Sequence, residues 1–523
     1  MALVGAATGA ASWIAAALCF WRVSPEVYMD EIFHVPQAQA YCQEKWGHWT
    51  PEITTPPGLY VCSYLYNRIL SAASFPNPCE AAQLRSLNYF FSLGSLLLMW
   101  RILLHRMSSD KASVQAVVLW LYPPAYFFTF LFYTDPGSTF FILLAYCLAQ
   151  PKPVIPSKKG RVLQSSTIGC AAAGCVAITF RQTNAVWCLF IAAASVLNDL
   201  ETTSGGPAPF SVTGAVGLVS SACKQAGRLL KEHGLLLLPV VGFMIFLRWN
   251  GGIVLGDKEH HVPSVHPAQM AYLFVAAAAV HGTAALKLDA VHQFRLFMFS
   301  FLGSALVGAM ALMLHKYPCV HEFLLADNRH YTFYIWRRFL GVEGMQLALT
   351  PVYAYCGWLV VTRMLQVRSS WWVMMWLVAS AVTLVPAPLL EPRYLTVPLL
   401  LAHLNSPVRR CSEMAFMALA FSMVNAVTVF VFLFKPFTWG DGSTARFICL
   451  WLPGADSNGT ENVEDEDVKS GYFPAVCAEG GILHQSQRLV MTTRKWFDPS
   501  RSRGAAGGKC SESYGTSTKM FIV

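Results

Sequence analysis

Two adjacent carboxylates, Asp30 and Glu31, stand a few residues beyond the first long apolar run, with His34 and Gln37 following closely. Acids at a bilayer edge lose solvation unless they are paired, hydrated or used, which makes such a pair a candidate for function. A carboxylate lining a cleft can act as a general base toward a hydroxyl that comes within hydrogen-bond reach. In the same stretch Trp46, Trp49 and Tyr60 offer aromatic faces that suit sugar rings, although an ordinary interfacial belt would use the same residues. Further polar islands interrupt apolar sequence. In Thr134, Asp135, Pro136 and Gly137, the proline suits a helix start and Asp135 is placed to cap it. Arg181 lies in a four-residue polar turn, where it could reach a headgroup phosphate or a substrate anion. Residues 250–267 gather Asp257, Lys258, Glu259, His260, His261 and His266. No two of these histidines have i, i+4 spacing, so contacts to a polar substrate are expected there and no metal site. Arg329 lies in a polar string with Asp327 and Asn328, and Arg393 follows Glu391 and Pro392 between two apolar segments. A guanidinium at the bilayer edge is a fork-shaped donor able to clamp a phosphate.

The elements that must position these groups are membrane helices. The 523 residues are 55% hydrophobic and only 13% charged, about half the charged share of a soluble domain. Runs such as 371–390 and 414–434 are nearly free of charge and long enough to cross about 30 Å of hydrocarbon. Their recurrence from residue 3 to residue 434, with short connections, predicts an all-α polytopic membrane protein, one bundle of about 13 transmembrane helices. Residues 3–21 lack a basic leader region and read as a retained first span. The stretch 58–75 is too polar for a span and suits an interfacial helix, so residues 22–82 read as one long first loop with juxtamembrane helices. Basic residues then cluster in alternate connections: Arg106 and Lys111; Lys158, Lys159 and Arg161; Lys224, Arg228 and Lys231; Lys287 and Arg295; Arg363 and Arg368; Arg409 and Arg410. That side is expected to be cytosolic, which puts Asp30 and the other polar islands on the opposite face. The net charge of +9 is spread over these loops, so nucleic acid is not an expected partner. The fifteen cysteines read mostly as small apolar residues, with a disulfide among Cys42, Cys79 and Cys319 left open. Residues 1–450 read as one membrane domain, and 451–523, polar with an acidic run at 461–467, as a disordered tail.

Seven strings carry a resemblance to a known family: residues 29–39 (MDEIFHVPQAQ), 53–60 (ITTPPGLY), 128–140 (FTFLFYTDPGSTF), 180–187 (FRQTNAVW), 249–261 (WNGGIVLGDKEHH), 325–336 (LADNRHYTFYIW) and 391–395 (EPRYL). Over residues 27–447 the chain resembles the dolichyl-phosphate-glucose-dependent α-1,2-glucosyltransferases that complete the lipid-linked oligosaccharide for protein N-glycosylation. The resemblance implies a GT-C type bundle in the endoplasmic reticulum membrane, multi-pass, with its active site facing the lumen. It further implies an inverting transfer of glucose from dolichyl phosphate glucose to Glc2Man9GlcNAc2-diphosphodolichol. Such enzymes place a catalytic acid in the first lumenal loop, the position of Asp30 and Glu31. On this reading Arg393, Arg181, Arg329, His260, His261 and Asp135 serve the donor phosphate and lipid sugar, and His34, Gln37, Trp46, Trp49 and Tyr60 contact the acceptor. No metal or other cofactor is expected. A secondary transporter would also be polytopic, but no internal repeat is visible. A non-catalytic partner of a channel would not need polar clusters in six separate connections.

Overall fold

The computed structural model describes residues 2–24, 26–75, 79–150, 162–258, 261, 263–317, 331–387, 389–438 and 444–446. The tail from 451 onward, Arg329 and His260 lie outside the described residues. Helices follow in the order α1 (Ala2–Val23), α2 (Glu31–Cys42), α3 (Gly58–Ala72), α4 (Ala81–Leu103), α5 (Ser109–Trp120), α6 (Pro123–Phe128), α7 (Thr134–Ala149), α8 (Val162–Phe180) and α9 (Asn184–Thr203). The chain continues through α10 (Val212–Lys224), α11 (Ala226–His233), α12 (Leu238–Asn250), α13 (Ala268–Val280), α14 (Leu288–Met298) and α15 (Phe301–Lys316). It closes with α16 (Tyr331–Ile335), α17 (Met345–Ala348), α18 (Thr350–Leu365), α19 (Ser370–Leu384), α20 (Thr396–Leu404) and α21 (Cys411–Phe434). Two-residue strands at Phe437–Thr438 and Thr444–Ala445 pair antiparallel beyond α21.

Polarity is inverted relative to a water-soluble bundle. α4 exposes Phe90, Leu93 and Leu97 while burying Arg85, Asn88, Ser92 and Ser95. α21 exposes Phe416, Leu419, Met423, Val427 and Phe430 while burying Glu413 and Asn425. Apolar rows outside and hydrogen-bonding groups inside are what a hydrocarbon solvent selects. Among the described residues four helical stretches are long and apolar enough to cross a membrane: 81–103, 184–203, 226–250 and 411–434. The α14–α15 pair, bent by 88°, makes a fifth if it is one span. The chain is thus an all-α membrane protein apart from the small hairpin, and the expected count of about 13 exceeds what length and apolarity alone establish. The run at 371–390 is shorter as a helix than expected. α19 ends at Leu384 with Val385 still helical as its cap, because Pro386 has no N–H with which to continue the hydrogen-bond ladder.

The main apolar core runs through α1, α5, α7, α9, α13 and α18 to α21. A second, smaller core joins α2 and α3 to α4 and the end of α8 through Leu59, Tyr60, Phe91, Phe132 and Phe180. That second core carries the first loop. Of the three cysteines left open in the sequence, Cys42 and Cys79 form a disulfide, tying the end of α2 to the start of α4.

Candidate active site

The polar strings converge on the end of the bundle where α1 meets α2. Leu255 N–H and Gln182 Nε2 both donate to Thr54 O, at 3.0 and 2.6 Å. Gly256 lies so close to the same segment that a Cβ there would sit 2.0 Å from Pro51 O, so only glycine fits. Gly58 is equally constrained against Thr179, where a Cβ would come within 2.4 Å of Oγ1. These contacts join the strings at 53–60, 180–187 and 249–261 into one floor.

Asp30 stands at the N-cap of α2, where an aspartate ordinarily accepts a backbone N–H of the first turn. It makes no such bond. Its Oδ2 instead accepts from Nη1 and Nη2 of Arg393, each at 3.2 Å, while Oδ1 is buried and has no partner among the described residues. Met29, buried just before it, has φ +52°, a conformation that costs a non-glycine residue roughly 1 kcal/mol or more and recurs at functional sites. The strained turn is held from both sides: Asp30 N–H donates to Tyr133 Oη at 3.0 Å, and Tyr28 N–H to Glu31 Oε2 at 2.9 Å.

The adjacent Glu31 has a different environment. It is fully buried, and both carboxylate oxygens are taken by Arg85, Nε to Oε1 at 2.8 Å and Nη2 to Oε2 at 2.6 Å. Oε1 also accepts Phe132 N–H at 2.6 Å. Arg85 reaches on to the carbonyls of Ser24 and Glu26. Asn88, one turn along α4, donates to Leu131 O and Tyr133 O at 2.6 and 3.0 Å. Arg85, Asn88 and Tyr133 are functional-site neighbours that the sequence reading missed. The available signal was a lone arginine in the first turns of an apolar helix.

Arg393 is the hub of the site. Its Nε donates to Glu391, and its Nη1 lies 3.6 Å from Asp135 Oδ2. The guanidinium stands over Phe128, Tyr133 and Tyr394 at 5.2 to 5.6 Å from the ring centroids. Burial alone would favour losing its proton, but Glu391, Asp30 and Asp135 outweigh burial and hold it charged. Arg181 donates through Nη1 to Asp135 and lies 4.8 Å above Tyr394. Asp135 is therefore the link between two guanidiniums and not the expected cap. α7 begins one residue before it, with Tyr133 at the N-cap, and the two charges are a stronger attraction than a cap bond. Asp30, Asp135 and Glu391 against Arg393 and Arg181 leave one excess negative charge. Beside them an open cavity of about 470 Å³, mouth included, runs along Ser92, Thr129, Asp135, Thr139, Arg393 and Thr396.

The expected acceptor contacts separate into three groups. His34 Nδ1 and Tyr60 Oη share a 2.6 Å hydrogen bond in the interior beneath Asp30. Gln37 is fully buried and engaged, donating to His48 O and accepting from Thr50 N–H and Oγ1, so it holds the loop and presents nothing to a substrate. Trp49 packs beside Tyr60 with its Nε1 unpartnered, and Trp46, 49% exposed, lies against Tyr41 and Tyr64 at the rim. His261 is tied to Asp257 by its Nδ1.

Burial, reinforced by the Arg393 charge, pushes the His34 pKa down to about 3. An unfolded chain would bind a proton there near pH 6.5, so the folded state binds fewer protons between these values and loses stability as pH falls through that window. Wild-type protein should lose about 2 kcal/mol more than His34→Asn on going from pH 6.5 to 5, read from thermal melts, with parallel behaviour above pH 6.5. Equal acid sensitivity of the two would refute the assignment.

A family model for the DIE2/ALG10 family matches residues 24–404. The chain is similar to the Dol-P-Glc:Glc(2)Man(9)GlcNAc(2)-PP-Dol alpha-1,2-glucosyltransferase of Arabidopsis thaliana, with 32% identity over 82% of this chain and 96% of the relative. The proteins of the same name from Rattus norvegicus and Homo sapiens are each 31% identical; 81% and 80% of this chain and 93% and 92% of the relatives are covered. No solved structure matches.

Proposed function

Because the chain belongs to the DIE2/ALG10 family, we propose that it transfers glucose in α-1,2 linkage from dolichyl phosphate glucose to Glc2Man9GlcNAc2-diphosphodolichol, as its relatives are named for doing. It is an enzyme of the endoplasmic reticulum N-glycosylation pathway, and its substrates are the two lipid-linked sugars. The observation that carries the chemistry is the asymmetric environment of Asp30. One oxygen is held by Arg393 while the other, buried, has no partner among the described residues.

Asp30 Oδ1 takes the proton of the acceptor 2-hydroxyl as that oxygen attacks C1 of the donor glucose. The bond from C1 to the phosphate oxygen breaks on the opposite face and its electron pair leaves with dolichyl phosphate, so configuration inverts in one displacement. Charge grows on the leaving phosphate and calls for donors aimed at it. Arg393 is already occupied by three carboxylates and serves chiefly to orient Asp30. Arg181 uses only Nη1 among the described residues, so its remaining N–H groups are the better phosphate contact. Arg329 and His260 belong to the same donor-side proposal, His261 adding to it from the 249–261 string. Glu31 supports the base through the backbone and is not itself the base. Purified protein with synthetic donor and acceptor should release dolichyl phosphate and triglucosylated product in equal amounts. Absence of transfer in that reconstitution would remove the enzyme reading.

The proposed topology has a cytosolic N-terminus, 13 crossings and a lumenal first loop. The Cys42–Cys79 disulfide supports the lumenal assignment, since such bonds persist in oxidising compartments. The residues after α21 belong to the same side: Tyr28 Oη donates to Arg446 O at 2.9 Å, and Arg446 Nη1 to Phe432 O and Leu433 O. An odd number of crossings accounts for that. Asn458, in the acceptor pattern with Gly459 and Thr460, lies outside the described residues and on this topology is lumenal. Endoglycosidase should shift the mobility of expressed protein, and Asn458→Gln should abolish the shift. Protease access to the tail in sealed microsomes would contradict the parity.

A further inference from the structure

At the end of α20 away from Arg393 and Asp30, α13, α20 and α21 meet at a cluster that glucose transfer does not use. Arg409, in the turn between α20 and α21, is 4% exposed. Its Nη2 donates to His403 Nδ1 at 2.8 Å, and His403 Nε2 donates to Ala277 O at 3.0 Å. An arginine can only donate and a carbonyl can only accept, so His403 is the neutral imidazole with its proton on Nε2. It brings Arg409 an acceptor but no negative charge. Among the described residues, Nε and Nη1 of Arg409 are buried without a partner. So is Nε2 of His281, whose ring lies 4.5 Å from that of His403.

The carboxylate that bears on Arg409 is Glu413, and it is already engaged: Oε1 accepts from Lys287 Nζ at 2.8 Å and Oε2 from Arg410 N–H at 3.4 Å. A buried guanidinium lacking a counter-anion is strongly unfavourable, and two orphaned N–H groups on it add desolvation. A group that supplies negative charge and accepts both orphaned N–H groups of one guanidinium is an oxyanion with several oxygens, the chemistry of a phosphate. The turn is one residue from solvent on either side, with Val408 and Arg410 exposed.

We propose that Arg409, with His281 beside it at His403, forms a phosphate-binding site at the end of the bundle opposite the glucosyl-transfer site. Its occupant is a phosphomonoester headgroup of a membrane lipid or free orthophosphate. Full-length protein, purified in detergent and stripped of lipid, would be melted in chloride, in orthophosphate at matched ionic strength, and in micelles doped with phosphatidic acid or phosphatidylcholine. A rise in midpoint of about 3 °C or more is expected with orthophosphate if the source is soluble, or with phosphatidic acid alone if it is lipid. Arg409→Met should lose that rise, yet melt no lower than wild type in chloride, since it removes an uncompensated charge. If Arg409→Met does not fold, Arg409→Lys, which keeps the charge and loses the two-N–H fork, must reduce the rise. A wild-type midpoint unmoved by both phosphates, or an equal rise in the variants, would overturn the site and leave buried water as the partner of Arg409.

Discussion

Replacing Asp30 by asparagine should lower turnover by about 10² to 10⁴ while leaving expression and the melting curve close to wild type. Asparagine keeps the shape of the side chain and an oxygen for Arg393, but cannot take a proton from an acceptor hydroxyl at neutral pH. The loss should appear in kcat, since Oδ1 is unpartnered before substrate arrives and its contribution belongs to the transition state. Initial rates at saturating donor and acceptor are the measurement. Near-normal kcat in Asp30→Asn would end the assignment of the base.

The second large effect is on stability. Arg85→Leu leaves the Glu31 carboxylate buried with two backbone N–H donors and no countercharge, and should destabilise the protein by roughly 3 to 5 kcal/mol. At 2% and 0% exposure the pair has almost no solvent to weaken this cost. Glu31→Leu combined with Arg85→Met removes both charges and should recover much of the stability, as buried ion pairs replaced by apolar groups commonly do. It should not recover turnover. Tyr28 N–H and Phe132 N–H lose their acceptor, and with it goes the fixed approach of the chain to Asp30. Retained monodispersity on size exclusion together with low kcat is the expected signature. Full activity in the double variant would mean that Glu31 only stabilises the fold.

The sequence made the ends of the apolar runs readable, and with them Asp30, Asp135, Arg181 and Arg393, because charges at membrane depth have few other reasons to exist. It could not reveal which charge meets which. Asp135 has the local pattern of a cap, and nothing within ten residues of it tells of Arg393, 258 positions later. The division of labour between Asp30 and Glu31 was equally hidden. It depends on α4 delivering Arg85 to one carboxylate and the 391–395 turn delivering Arg393 to the other. Gln37 and Tyr60 looked like sugar contacts because their chemistry allows it, whereas the packing of α2 on α3 turns both inward. The helix count also outran what length and apolarity give, since several apolar helices are shorter than 18 residues.

The two ion pairs differ in how much of the chain must exist before they can close. Glu31 meets Arg85 across 54 residues, whereas Asp30 meets Arg393 across 363. During synthesis the first pair, together with the Cys42–Cys79 bond, can form once α4 has been delivered. The charge partner of Asp30 arrives only when roughly three quarters of the polypeptide has been made. A nascent chain therefore carries an anchored but electrostatically incomplete first loop for most of its elongation, and glucosyl transfer switches on late, with the turn ahead of α20. Any fragment ending before that turn keeps the mounting of Asp30 and lacks its charge partner.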